Sequence, residues 1–272
     1  MSSSLARRVW PGIVRRLDRP GRRALLAVPG SAWVSWTYRE PCVVYWREGA
    51  WIHHYRQAKI PHANLGRAAP PRVLTAEARD LFLYDYAPQR GDVVLDVGAG
   101  IGAEALLFSR LVGEAGRVVS IEAHPVTYAR LVALCKVNAL DNVTPLQLAV
   151  SDADGEVVLS DVAHHLQNKV VSSDEAGIRV PARRLDDVAG ELGIERVDLL
   201  KMNIEGAEVQ ALAGMGSLLE RTRHVCISCH DFLGISTKRD VRALLAQHGF
   251  DTHSRDDAAE PWTRDYVYGA RK

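Results

Sequence analysis

The stretch VVLDVGAGIGAEALLFSRL, Val93 to Leu111, decides the fold. An apolar run from Val93 to Val97 stops at Gly98, Gly100 and Gly102, and beyond them Ala105, Leu106, Leu107 and Leu111 recur at helical spacing. The pattern predicts a strand, a glycine-rich turn and a helix. Side chains in such a turn would hold the backbone away from a ligand, so the strand end is aimed at a nucleotide-sized crevice. Asp96 stands at the turnward end of that strand, placed to orient a ligand or the loop. A tight turn in an ordinary α/β core is the alternative.

Working outward, the same alternation repeats. Strands are expected at Arg117 to Ile121, about Thr144 to Val150, Val197 to Met202, His224 to Ser228, Phe250 to Ser254 and Asp265 to Gly269, making seven with the first. Helices are expected at Gly102 to Val112, Pro125 to Ala139, from Gly206 or Ala207, and at Lys238 to His248. Such alternation implies a mostly parallel sheet whose ligands bind beyond the carboxyl ends of its strands. Glu122 ends the second strand, where a carboxylate accepts hydrogen bonds from a ribose diol. Ser151 and Asp152 end the third, where Asp152 either meets an adenine amino group or is a solvated turn residue. Past the fourth and fifth strands stand Asn203, Glu205, His230 and Asp231, four polar groups convergent on one rim and therefore candidates for chemistry. The cofactor choice lies between NAD and S-adenosylmethionine; the leading Asp96 and the less regular glycines favour the latter.

Composition sets outer limits. The chain has 272 residues and 30.0 kDa, with 34 Lys and Arg against 33 Asp and Glu, a net charge of +1 and a pI near 7.8. Nothing there asks for nucleic acid. The basic excess is local, with Arg7, Arg8, Arg15, Arg16, Arg19, Arg22 and Arg23 crowding a start that also carries an apolar stripe of Leu5, Val9, Ile13 and Leu17. That segment reads as a solvated leader or as a contact with an anionic partner or membrane surface. Cys42, Cys135, Cys226 and Cys229 make no zinc pattern, because strand alternation sends the last two to opposite faces. Buried thiols in a reducing cytoplasm are expected. No segment approaches the roughly 20 apolar residues of a membrane span.

Residues 1 to 28 are expected to be helical with a break at Pro11, and Cys42 to Ile60 to be two strands around Glu48 and Gly49. Trp33, Trp36, Trp46 and Trp51 concentrate there, so the segment Trp33 to Tyr55 packs on the main domain, lines a groove or mediates a homodimer. The expected division is an N-terminal arm with an aromatic hairpin over 1 to 70 and a main domain over 71 to 272. The main domain opens with a helix capped by Thr75 and ending near Pro88. A lid-like insertion lies near 155 to 181, with strands at Gly155 to Leu159 and Ile178 to Pro181 around His164, His165, Gln167 and Asn168.

At LDVGAGIG (Leu95 to Gly102), SIEAHP (Ser120 to Pro125), LAVSD (Leu148 to Asp152), ARRLDDV (Ala182 to Val188) and LLKMNIEGAEVQALAG (Leu199 to Gly214) the chain resembles the FkbM family of S-adenosylmethionine-dependent methyltransferases. The resemblance implies an α/β fold, a Rossmann-like seven-stranded class I methyltransferase sheet with an N-terminal helical and β-hairpin extension. It implies O-methylation of a sugar or natural-product hydroxyl, and more narrowly the chain is similar to mycobacterial enzymes that methylate mannose oligosaccharides. Asp96, Gly98, Gly100, Gly102, Glu122, Ser151, Asp152 and Asn203 would then bind the cofactor. The family pattern Lys-x-Asp-x-Glu falls on Lys201, Asn203 and Glu205, so Asn203 removes one expected negative charge. His230, Glu205 and Asp231 are the expected catalytic residues, with His230 as general base. The same three, with help from His165, would hold magnesium. Rival readings are an NAD-dependent oxidoreductase and a non-catalytic carbohydrate-binding or scaffold protein.

Overall fold

The computed structural model describes residues 3–62, 65, 69–160, 170–171, 177–229, 231–232 and 235–271, with the side chains of 3–9, 77, 170–171, 231–232 and 235 outside the description. His164, His165, Gln167, Asn168 and His230 lie outside the described residues. The chain divides into one unit of residues 1–75 with 136–139 and a second of 76–135 with 140–272.

The first unit begins with α1 (Ser3–Leu17) and α2 (Ala24–Tyr38), followed by β1 (Cys42–Arg47), β2 (Ala50–Tyr55) and β3 (Lys59–His62) in one antiparallel sheet. Pro11 does not end α1, which runs through it. Trp33 and Trp36 belong to α2, whose helix continues ten residues past the expected end. The β1–β2 hairpin closes on Glu48 and Gly49, both left-handed at φ 48° and 83°. Those two positive φ values are what a two-residue turn matched to strand twist requires. Two serines fasten α2 to β1, Ser31 Oγ accepting from Val44 N at 2.8 Å and Ser35 Oγ from Cys42 N at 2.9 Å. Trp51, Tyr55, Ile60 and Leu65 are buried, and Trp46 meets Trp51 edge to face.

Next, α3 (Pro71–Leu81) starts four residues before Thr75 and stops well short of Pro88. The second unit is then β4 (Val93–Val97), α4 (Ala103–Val112), β5 (Arg117–Ile121), α5 (Pro125–Asn138) and β6 (Val143–Leu146). It continues with β7 (Ala149–Val150), β8 (Gly155–Leu159), β9 (Val170–Val171), β10 (Ile178–Arg183) and α6 (Leu185–Glu191). The remainder is β11 (Val197–Met202), α7 (Glu208–Ala213), α8 (Gly216–Leu219), β12 (Thr222–Ser228), β13 (Asp231–Phe232), β14 (Ile235–Ser236), α9 (Lys238–Gln247), β15 (Phe250–His253) and β16 (Tyr266–Arg271).

Seven strands form the main sheet in the order β15-β16-β12-β11-β4-β5-β6, with β16 antiparallel to both of its neighbours. Alternation sorts the side chains onto two faces. Leu95, Val97, Val119, Ile121, Leu200 and Met202 enter one core, and Val94, Val118, Leu199, Tyr266 and Tyr268 the other. Cys229 and Cys226 fall in these opposite cores, and all four cysteines are free and buried. The expected third strand divides. Pro145 is accommodated in β6, which is an edge strand where a missing N–H is tolerated, while β7 joins a second sheet, β7-β10-β8-β9. Among the described residues no helix is long and apolar enough to cross a membrane.

Candidate functional site

The crossover between β4 and β11 puts the carboxyl ends of β4, β5 and β11 side by side. Ligands bind in open α/β sheets at such a reversal of strand order. A cleft with about 820 Å³ of non-atom space, open solvent at its mouth included, lies there. Gly98, Gly100, Glu122, Asn203 and Glu205 line it with the apolar Ile121, Ala123, Leu148, Val150 and Leu159.

Each turn glycine has its own reason. A Cβ on Gly98 (φ +76°) would sit 1.9 Å from the Asn203 carbonyl oxygen, so this position is set by close backbone approach between β4 and β11. Gly100 (φ +55°) has nothing within 4 Å of such an atom and faces the cleft. Gly102 does not line the cleft. It precedes α4 at φ +90°, and a Cβ there would meet Leu131 at 2.7 Å. Helix packing accounts for a glycine here, apart from the cofactor binding expected of it.

Glu122 joins two turns. Its Oε2 accepts the Gly100 N–H and its Oε1 the His124 N–H, both at 2.9 Å. An ionised carboxylate has about four acceptor positions, so two remain for a ligand diol. Burial pushes this carboxyl above its ordinary 4.5, outweighing the N–H groups of His124 and Gly100 and the nearby Lys201, which pull it down.

Asp96, also expected at the cofactor, lies beneath the turn. It does not line the cleft; it is fully buried and forms an ion pair with Lys201, 2.9 Å from Oδ1 to Nζ. Lys201 also donates to the Gly98 carbonyl at 2.8 Å. The pair arises because Lys201 and Asp96 are register partners in neighbouring strands and share a face. Asp96 thus supports the turn from beneath.

Ser151 and Asp152 stand outside the cleft. The chain has already left the main sheet at β7, Ser151 Oγ bonds Asp152 at 3.2 Å, and Asp152 is exposed. The wall at this end is the apolar Leu148, Ala149, Val150 and Leu159 instead.

At the floor, Asn203 donates its backbone N–H to Val97, and its Oδ1 is buried with no hydrogen-bond partner among the described residues. Glu205 lines the same floor in the left-handed region, φ 55°, a strained conformation for a residue with a Cβ. Glu208, fully buried, fixes this bend by accepting from Gly206 N and from Thr237 Oγ1. Asp231 is the first residue of β13, beyond the same edge of β12, and its side chain lies outside the description, as does all of His230. The structure therefore brings Glu122, Asn203 and Glu205 together with Gly98 and Gly100. Among the described residues no cluster of three His, Cys, Asp or Glu is arranged to hold a metal ion.

Two lining residues escaped the sequence reading. His124 and Thr127 are buried on the cleft wall, and Thr127 Oγ1 has no hydrogen-bond partner among the described residues. Their signal was positional: they sit at the start of α5, directly after the strand that carries Glu122.

The methyltransferase FkbM domain family matches residues 96–252. The 31-O-demethyl-FK506 methyltransferase FkbM of Streptomyces tacrolimicus is 29% identical over 253 residues, which cover 79% of this chain and 94% of that protein. Hexuronic acid methyltransferase AglP of Haloferax volcanii is 27% identical over 190 residues, 68% of this chain and 72% of that one. AmbE, an antimetabolite synthetase of Pseudomonas aeruginosa, is 39% identical over 92 residues, but the match spans 32% of this chain and only 4% of AmbE. In the crystal structure of methyltransferase FkbM from Methylobacillus flagellatus the fold is shared at a TM-score of 0.53 and 16% identity, over 74% of this chain and 50% of that one.

Proposed function

Because the chain belongs to the methyltransferase FkbM domain family, we propose that it transfers a methyl group from S-adenosylmethionine to a hydroxyl oxygen of a sugar or oligosaccharide. Its fold is the Rossmann-like class I sheet of S-adenosylmethionine-dependent methyltransferases, and that membership sets aside the NAD reading. The observation carrying the proposal is the cleft itself: a glycine turn at Gly98 and Gly100, a twice-anchored Glu122 and, at one end of an apolar slot, an Asn203 Oδ1 with no partner among the described residues. These residues fit S-adenosylmethionine part by part. Asn203 Oδ1 would accept from the ammonium of the amino-acid end, Glu122 would take the ribose hydroxyls, and Ile121, Leu148, Val150 and Leu159 would cover the adenine. The hexuronic acid methyltransferase supports a sugar acceptor, and the 31-O-demethyl-FK506 methyltransferase supports methylation on oxygen.

The bound sulfonium supplies an electrophilic methyl group. The protein must hold the acceptor oxygen in line with the sulfur–methyl bond and take its proton as the new oxygen–carbon bond forms. We assign the proton to His230, since an unperturbed imidazole is substantially neutral near pH 7. Glu205 and Asp231 are the proposed holders of a magnesium ion, which leaves the imidazole lone pair of His230 for the proton. Hard oxygen donors suit that ion, and the cleft offers the Glu205 carboxylate on its floor. There it would stabilise negative charge developing on the acceptor oxygen. The test incubates the chain with S-adenosylmethionine and a panel of uronic acids, mannosides and non-sugar alcohols, follows S-adenosylhomocysteine, and locates the new methyl by NMR. Product methylated on nitrogen or carbon, or no turnover with any hydroxylated acceptor, overturns the reading. A full rate in His230→Ala removes His230 as the base.

A further inference from the structure

We propose that the N-terminal unit docks on an anionic lipid surface through the outer face of α2. The helix, ALLAVPGSAWVSWTY, holds no charged residue in 15 positions. Leu26, Gly30 and Val34, four apart, are its buried stripe. On the other side Leu25, Val28, Pro29, Ala32 and Trp36 are exposed, with Leu25 at 64%, Val28 at 79% and Trp36 at 53% of their full surface. Helices apolar on both faces are normally covered on both. At about 1.5 Å per residue this one reaches roughly 22 Å, short of the hydrocarbon thickness of a bilayer, so it lies along a surface. Its exposed tryptophan suits the headgroup level, where indole rings collect.

Charge identifies the occupant. Residues 1 to 39 contain eight arginines and no lysine, and Asp18 is the one acidic residue. Asp18 is engaged within the unit, accepting from Arg23 Nε at 2.8 Å and Trp51 Nε1 at 3.0 Å, while Arg23 also stacks over Trp46. Arg15, Arg16, Arg19 and Arg22 are left exposed just before α2, and Arg39 just after it. A second copy of the chain is a poor fit for this face. A two-fold contact sets the patch against itself, so arginines at both helix ends would meet arginines in either orientation. An apolar stripe bordered by exposed arginines matches acyl chains beneath anionic headgroups.

The experiment is co-sedimentation of the full chain with vesicles of phosphatidylglycerol and phosphatidylcholine at one to three, and with phosphatidylcholine alone, at two salt concentrations. Binding to the anionic vesicles, weakened by salt, is expected. Arg19→Gln with Arg22→Gln should weaken it about 25-fold, from a contribution of about fivefold per arginine. Val28→Asp with Trp36→Ser should weaken it about tenfold or more. Circular dichroism, which reads the helices of both units, keeps a folding failure apart from a docking failure, and S-adenosylhomocysteine binding checks the second unit. Absence of binding, equal binding to neutral vesicles, or indifference to either pair of substitutions overturns the proposal. So does a dimer in lipid-free sedimentation that Val28→Asp with Trp36→Ser converts to monomer.

Discussion

Replacing Lys201 with Met tests the placement of Asp96 as a buried support. Lys201 Nζ lies 2.9 Å from Asp96 Oδ1, 2.8 Å from the Gly98 carbonyl oxygen and 4.9 Å from the centre of the Phe82 ring, with both partners removed from water. Methionine preserves the stem and deletes the charge, leaving the Asp96 carboxyl buried without its cation. Breaking a buried pair from one side typically costs about 3 to 5 kcal/mol, because the remaining charge keeps its desolvation penalty. That is a large part of the 5 to 15 kcal/mol of a typical native domain. The double variant Lys201→Met with Asp96→Asn removes both charges and should recover most of the loss, since a neutral replacement of a buried pair is often close to neutral in stability. Burial lowers the Lys201 pKa, but Asp96 and Glu104 more than reverse this, leaving it above 10.5. The stabilisation is therefore complete below the unfolded value and lost only as pH rises through the folded one, so the deficit of Lys201→Met should be constant between about pH 6 and 9. Urea unfolding by circular dichroism measures all three proteins. A single variant within about 0.5 kcal/mol of the parent, or a double variant no better than the single, refutes the pairing.

Glu122→Ala should weaken S-adenosylhomocysteine binding by about 1 to 3 kcal/mol, since a charged acceptor in a desolvated site is removed; unchanged affinity by calorimetry would displace the ribose from Glu122. Because burial raises the Glu122 pKa above 4.5, its ionised form is lost first as pH falls, and cofactor affinity should decline on acidification through that raised value. Its stability contribution runs the other way, present below 4.5 and lost as pH rises through the folded value. Glu122→Gln should flatten the affinity profile, and a parallel profile in that variant counts against the assignment. Gly98→Ala should destabilise the fold by about 1 to 3 kcal/mol through overpacking against Asn203, whereas Gly100→Ala should cost about 1 kcal/mol of left-handed strain and chiefly weaken cofactor binding. Equal melting temperatures for the two would show the turn to be looser than this geometry. Exhaustive chelation should slow methyl transfer, added magnesium should restore it, and Glu205→Ala should reduce the restoration; full activity in metal-free protein ends the magnesium proposal.

The central strands were legible because each is a short apolar run bounded by glycine, proline or polar residues, and β4, β5 and β11 begin and end where the pattern places them. The first unit was less legible. α2 is rich in Trp and Val, residues that also favour strands, and it is held as a helix by contacts with β1 that no local pattern records. β3 carries Pro61 and follows β2 with no strong turn dipeptide. The site divides in the same way. Glu122 and Asn203 could be placed from strand ends alone, because a strand end points at one rim whatever its neighbours do. Asp96 could not. Whether it faces the cleft or the core depends on the β4–β11 register, which pairs it with a residue 105 positions away.

That register also explains how one short segment, Lys201-Met-Asn-Ile-Glu205, serves both stability and chemistry. While the chain is in β11, alternation sends Lys201 toward Asp96 on one face and Met202 into the opposite core. Once the strand ends, the close approach of Gly98 to the Asn203 carbonyl ties the segment to the glycine turn, and the left-handed Glu205 turns it along the cleft floor. Displacing Lys201 would therefore loosen the Gly98 carbonyl and, through it, the position of Asn203. An aspartate at 203 would place a third carboxylate on a cleft already lined by Glu122 and Glu205, and like charges in a desolvated space raise one another's pKa. Asparagine keeps a hard oxygen at the same place without that repulsion. It also offers less negative charge to the proposed magnesium ion, so in that mechanism more of the proton-transfer work would fall on the base than with a carboxylate at this position.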